Sequence, residues 1–122
     1  MRIIITIITI MLLLTACSFG DNLSNMRENR MLSKMKAEDE NQFHLYSFWT
    51  EGTETEFDTF DYSRVDTNVF RLLSFHQKEN AKEYIESLEI REFPTFIVLD
   101  NKGIVLRTTS VNEINDFLTD YQ

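Results

Sequence analysis

The sequence predicts an α/β or α+β domain built on a mixed sheet. Three observations carry this. Aromatic and β-branched runs at 43–49, 69–75, 95–99 and 104–108 alternate with helical patterns at 81–88 and 111–121. The nineteen residues 50–68 suffice for the crossover of a parallel strand pair, which needs about a dozen or more. The turn residues Asp100–Gly103 join the last two strand patterns as an antiparallel hairpin.

Phe43-His44-Leu45-Tyr46-Ser47-Phe48-Trp49 is the first strong strand, rich in aromatics and bounded by polar segments. Thr50 to Asp58 is an acidic turn region containing Gly52. Asp58 to Asn68 fits a short helix or an irregular loop, and Phe57, Phe60 and Tyr62 are available to a core from either. Val69 to Phe75 is the second strand, expected parallel to the first. Asn80 is placed to cap the next helix, where Ala81, Tyr84, Ile85 and Leu88 recur at i, i+3, i+4 and i+7 as one apolar face. Pro94, the only proline, precedes Thr95-Phe96-Ile97-Val98-Leu99, a continuous apolar run that reads as a buried central strand. Gly103 is expected to supply a positive φ in the turn to Ile104–Thr108. Ser110 to Glu113 spell a capping box, after which Val111, Ile114, Phe117, Leu118 and Tyr121 line the inner face of a last helix. There are no internal repeats and no low-complexity stretch.

The amino terminus has a different character. Residues Ile3 to Leu14 are apolar except for Thr6 and Thr9, and Arg2 is the only charge before them. That run is too short to cross a bilayer, which takes about 20 apolar residues, and has the length of the apolar stretch of a secretory signal. Leu14-Thr15-Ala16-Cys17 then resembles the lipobox of bacterial lipoproteins: small residues enter the peptidase site, and the thiol that follows is alkylated with diacylglycerol. The resemblance implies that residues 1–16 are a signal peptide, that Cys17 carries the lipid, and that the protein sits on the extracytoplasmic side of the cell membrane. Residues 17–41 then comprise the lipidated cysteine and a polar tether, and 42–122 the folded domain. Met31, Leu32 and Met35 share one helical face, so a short helix over 26–37 competes with the tether. The polar composition favours a flexible tether, with a reach of about 27 Å.

Cysteine usage and charge set further bounds. Cys17 is the only cysteine, so residues 18–122 hold no disulfide, thiolate zinc site or cysteine nucleophile. Cleavage removes Arg2 alone among the charges, leaving 11 basic against 20 acidic residues and a net charge of about −9. This balance argues against nucleic acid as a partner, because Lys and Arg must neutralise phosphates there. It also opposes attraction to an anionic membrane, so the lipid is expected to do the anchoring; two acyl chains suffice where one is marginal.

Glu89-Ile90-Arg91-Glu92-Phe93-Pro94-Thr95 and the strand, Gly turn, strand and helix after it resemble the second half of a thioredoxin. The resemblance covers about residues 43–121. It implies a thioredoxin-like α/β fold with a mixed central sheet of about four strands and flanking helices. It also implies a cis Phe93–Pro94 bond in a loop, Phe93, Pro94 and Thr95, that faces the active site. Phe48-Trp49-Thr50-Glu51 resembles the start of the family's active-site loop, where Trp-Cys-x-x-Cys follows. In one register Thr53 and Glu56 stand at the cysteine positions; in another, Thr50 and Thr53 do. Neither contains sulfur. Thiol–disulfide exchange requires a thiolate, so the family's oxidoreductase activity does not carry over. Trp49, Glu51, Thr53 and Glu56 remain as candidate partner-contact residues.

No other chemistry is assigned. His44 and His76 open and close different strands, with no cysteine to join them as metal ligands. Glu51, Glu54, Glu56, Asp58, Asp61 and Asp66 lack the order of an EF-hand loop and read as a solvated acidic face. No serine has a nucleophile signature, and no glycine-rich phosphate loop occurs. The expectation is therefore a non-catalytic, cofactor-free binding or adaptor module at the cell envelope. Its partners would be the membrane, through the diacylglycerol, and an unidentified envelope protein or wall component. A structural wall-associated lipoprotein and an enzyme working without cysteine are the alternatives.

Overall fold

The computed structural model describes residues 25–53 and 62–121. A helix α1 (25–35) leads into strand β1 (Phe43–Trp49). A 3₁₀ turn (Tyr62–Arg64) precedes β2 (Phe70–Gln77), and a second 3₁₀ turn (Lys78–Asn80) leads to helix α2 (Lys82–Ser87). The hairpin of β3 (Thr95–Leu99) and β4 (Ile104–Thr108) is followed by helix α3 (Val111–Thr119). The four strands form one mixed sheet in the order β2-β1-β3-β4. β1 runs parallel to β2, as the long crossover permits, and antiparallel to β3; the short hairpin makes β3 and β4 antiparallel.

The two inner strands are buried on both faces, and each face carries its own core. Tyr46 and Phe48 of β1 and Ile97 and Leu99 of β3 pack against Met31 and Met35 of α1 and the helical segment Ala81–Leu88. On the other face Phe43 and Leu45 of β1 and Phe96 and Val98 of β3 pack against Val111, Ile114 and Leu118 of α3. A register shift between Phe43 and His44 places Leu72, not Arg71, opposite His44, so the face of β2 changes just after its first residue.

The turn after β3 is set by the Asp100 carboxylate, which accepts from the amides of Lys102 (2.7 Å) and Gly103 (3.0 Å). Ser110 caps α3 by accepting from the Glu113 amide, but the reciprocal arm of the capping box runs through a third residue. The Ser110 amide donates to the Thr108 hydroxyl (3.0 Å), which itself donates to the Glu113 carboxylate (2.6 Å). Tyr121 is 41% exposed and closes the Phe43–Phe70–Phe117 aromatic cluster from outside, edge-on to Phe43 and Phe70 and tilted against Phe117.

Two expectations are corrected. Asn80 does not cap α2: it ends the 3₁₀ turn, Ala81 stands at the cap, and no side chain serves there, because the helix continues almost directly from the turn before it. The polar tether expected over 17–41 does not hold for residues 25–37. Met31, Met35 and Ala37 are buried at 5%, 1% and 2% exposure, and two hydrogen bonds fix the helix end to the sheet. His44 Nδ1 donates to the Met35 carbonyl (2.9 Å), and the Ala37 amide donates to the Asp100 carbonyl (3.0 Å). A short helix gains its stability from tertiary packing of one face, so a mostly polar segment needs few apolar residues to be held. Residues 1–24, including the apolar run and Cys17, lie outside the described residues, as do 54–61 with Glu56, Phe57 and Phe60. Among the described residues no helix is long and apolar enough to cross a membrane.

This placement of α1 predicts a contrast between its methionines. Met35→Ala should destabilise the domain by about 2–4 kcal/mol, whereas Met26→Ala, at a side chain 57% exposed, should be nearly silent. Urea denaturation of both variants checks this; equal, negligible effects would return the segment to a tether.

Candidate functional site

The turn after β1 and the loop before β3 emerge at one end of the sheet, because Phe48 lies opposite Thr95 in the antiparallel ladder. On the other side of β1, Trp49 pairs with Gln77, which brings the 3₁₀ turn Lys78–Asn80 to the same end. The structure thus brings together Trp49, Glu51 and Thr53 with Phe93, Pro94 and Thr95.

The turn at 50–53 is closed on itself. The Thr53 hydroxyl donates to the Thr50 carbonyl (2.7 Å) and accepts from the Thr50 amide (3.1 Å), and the Thr53 amide donates to the same carbonyl (3.0 Å). Gly52 has φ 96°, a left-handed conformation that favours glycine. Thr50 and Thr53, the cysteine positions of one register, therefore hold a tight turn together through hydroxyl-to-backbone bonds. Glu51 is exposed beside it.

The 93–95 loop is anchored by two buried residues and leaves only Phe93 partly exposed. The Phe93–Pro94 bond is cis, Pro94 is buried, and the buried Thr95 hydroxyl donates to the Glu92 carbonyl (2.6 Å). Phe93 is half-buried, with the Lys78 ammonium 5.4 Å from its ring centroid. The ladder with β1 stops at Thr95, and among the described residues the Phe93 backbone makes no hydrogen bond. Beside this loop lies a polar cleft of about 550 Å³, bounded by Arg91, Glu92, Thr95, Arg107, Thr108 and Thr109 among others. Arg107 is fixed there, donating to the carbonyls of Leu88 (2.8 Å) and Glu89 (3.1 Å). These bonds stitch the end of α2 to β4.

Sequence reasoning missed a hydrogen-bonded pair on β2. Ser74 Oγ and His76 Nε2 are 2.6 Å apart, since residues two apart share a strand face. The imidazole stacks on Phe48 (5.4 Å, 22°) and Tyr46 (5.9 Å, 10°) and abuts Tyr84 (4.8 Å). Burial disfavours its charged form and lowers its pKa below 6.5. Burial, reinforced by the Tyr84 phenol, raises that of Tyr46. A hydroxyl touching an imidazole is half of a nucleophile–base arrangement, but among the described residues nothing orients His76 Nδ1. The spacing x-Ser-x-His-x within a strand was the available signal. The two histidines do not converge: His44 and His76 stand four rungs apart along the β1–β2 pair, and His44 is engaged with Met35.

No family model and no curated protein matches the chain. Solved structures do. The chain is similar to thioredoxin f2 of Chlamydomonas reinhardtii, at 17% identity over 78% of this chain and 92% of that one, with a TM-score of 0.55. It is similar to the thioredoxin of Fasciola hepatica, at 9% identity over 77% and 90%, with a TM-score of 0.56. A third likeness is to the oxidised thioredoxin of Plasmodium falciparum, at 18% identity over 75% and 86%, with a TM-score of 0.51. At these identities the likeness concerns the fold, which is thioredoxin-like α/β with a four-stranded mixed sheet. The chain's single cysteine, at position 17, leaves no Cys-x-x-Cys pair anywhere in it.

The environment of His76 sets a pH dependence. A histidine whose pKa is depressed by folding contributes fully above its unfolded value of 6.5, where both states are neutral. As pH falls below that, the unfolded chain takes the proton more readily, and stability declines until the folded pKa is passed. Urea midpoints between pH 7.5 and 5 should show this slope, and His76→Gln should flatten it; an equal slope in both proteins would refute the assignment.

Proposed function

We propose that the protein is a membrane-anchored, redox-inactive lipoprotein that works as a binding or adaptor module at the cell envelope. Its partner is an extended segment of an envelope protein, held at the 93–95 loop. The observation that carries this reading is the backbone of Phe93. It lies just past the last rung of the β1–β3 ladder with its hydrogen-bonding groups uncommitted among the described residues, beside a half-buried aromatic ring. An added strand supplies main-chain bonds to such a position, and flanking pockets supply selectivity. Trp49 and Glu51 border it from the β1 side.

The chemistry at the same end supports binding over turnover. The fold is that of a thiol oxidoreductase without the thiols, and Thr53 spends both hydrogen-bonding roles of its hydroxyl inside its own turn. Disulfide exchange needs a thiolate to attack and a second sulfur to resolve. The chain's one sulfur of that kind, on Cys17, stands where a lipobox would have it alkylated. Two acyl chains there would hold the protein on the membrane without a spanning helix.

Two outcomes follow. Cys17→Ser should abolish incorporation of a palmitate analogue and leave uncleaved precursor; undiminished label on the variant would end the lipoprotein reading. Full-length protein crosslinked in intact cells should yield a recurrent envelope partner that Phe93→Asp loses at least tenfold without loss of the circular dichroism spectrum. Retention of that partner by the variant would remove the 93–95 loop as the contact.

A further inference from the structure

We propose that the exposed side of α1 docks on the anionic phospholipid headgroups of the membrane to which the chain is anchored. The inference takes its geometry from the anchored reading, but the surface itself is in the chain. At about 100° per residue, Arg27, Arg30 and Lys34 project within about 60° of arc, and Lys36 follows at the end of the helix. All four are exposed, and none of their side chains makes an ion pair or hydrogen bond among the described residues. Met26, 57% exposed, flanks the same arc next to Arg30 and offers an apolar side chain to the headgroup boundary.

The charge of the chain is sharply divided. Residues 25–37 carry four basic side chains and one acidic, Glu28, for a net +3. Residues 38–122 carry seven basic and eighteen acidic, for a net −11. The overall negative charge, which taken alone opposes an anionic surface, thus hides a basic helix at the head of an acidic domain. An anionic leaflet would attract that helix and repel the rest, which orients the domain.

Distance selects the membrane as the occupant. Position 25 is eight residues from Cys17, and eight residues span at most about 29 Å when fully extended. Because Met31 and Met35 hold α1 in the core, the basic side stays rigidly attached to the sheet within that distance of the bilayer. Electrostatic attraction fades within a Debye length, about 8–10 Å at physiological salt, so docking depends on ionic strength.

Lysine footprinting of the full chain tests this. Protein purified from membranes is reconstituted on vesicles of phosphatidylcholine, or of equal parts phosphatidylcholine and phosphatidylglycerol, and treated with an uncharged acylating reagent. Mass spectrometry reads Lys34 and Lys36 against the exposed Lys82 and Lys102. The expected result is a severalfold loss of reactivity at Lys34 and Lys36 on the anionic vesicles only, reversed by high salt and by the double substitution Arg27→Glu with Arg30→Glu. Flotation with both vesicle types but equal footprints would overturn docking while leaving the anchor intact. Flotation with anionic vesicles alone would uphold docking and remove the anchor, and flotation with neither would remove both. Equal protection by soluble glycerol phosphate polymer, without vesicles, would overturn the assignment to lipid.

Discussion

Strand β1 is paired along both edges and packed on both faces, and the rest of the domain answers to that demand. Its backbone is satisfied by β2 on one side and β3 on the other. Its side chains alternate into two separate cores, Tyr46 and Phe48 into one and Phe43 and Leu45 into the other. Neither core can be closed by the sheet alone. One needs α1 and α2, the other needs α3, so both ends of the described chain are recruited to cover a single strand. Ser47 shows the tightness of the arrangement: its side chain is fully buried between the aligned Phe75 and Phe96, and its hydroxyl has no partner among the described residues. A buried hydroxyl left unbonded costs about 1–3 kcal/mol, which the packing around β1 must offset.

The candidate binding end inherits its geometry from the same strand. The turn 50–53 begins where β1 ends, and the 93–95 loop is placed opposite by the β1–β3 register. What differs from a redox site is local. Two threonines close the turn through their own backbone, so the segment that would present sulfur instead presents an exposed carboxylate, Glu51, on a rigid support. Beyond β3, the cleft beside the 93–95 loop is lined by Arg107, fixed by two backbone carbonyls, and by Thr108, which bonds Ser110 and Glu113. Pre-formed, hydrogen-bonded walls lower the ordering cost of binding an extended segment.

Legibility in the sequence followed the density of apolar signal. Thr95–Leu99 and Ile104–Thr108 occur as read, because an unbroken apolar run meets a turn whose Asp100 carboxylate fixes the reversal. The parallel pairing of the first two strands was legible from the length of the crossover alone. Helix α1 is obscured in the sequence because Met31 and Met35, with Ala37 just past its end, are the segment's buried residues, and charged residues dominate around them. The Ser74–His76 contact is open to reading from its i, i+2 spacing, but what that face packs against is not: the register shift after Phe43 decides which face of β2 turns toward Tyr84. The thioredoxin resemblance located the 49–53 and 93–95 segments but not the polar cleft, which needs Arg107, Thr108 and Thr109 to close it opposite Glu89, Arg91, Glu92 and Thr95.

The joint between α1 and the sheet links these themes. His44 and the Asp100 carbonyl both lie at the end of the sheet away from the 50–53 turn, and both bond the segment 35–37. The chain from the amino terminus therefore enters the sheet at the end opposite the candidate binding loop. A basic helix lying on a membrane would pass its orientation to the sheet through this joint and the methionine contacts. The 93–95 loop would then be presented at a fixed attitude to the bilayer instead of sampling all directions on a flexible tether. For a module that captures a partner from the same membrane or the adjoining wall, a fixed attitude raises the effective concentration of productive encounters without any added contact at the site itself.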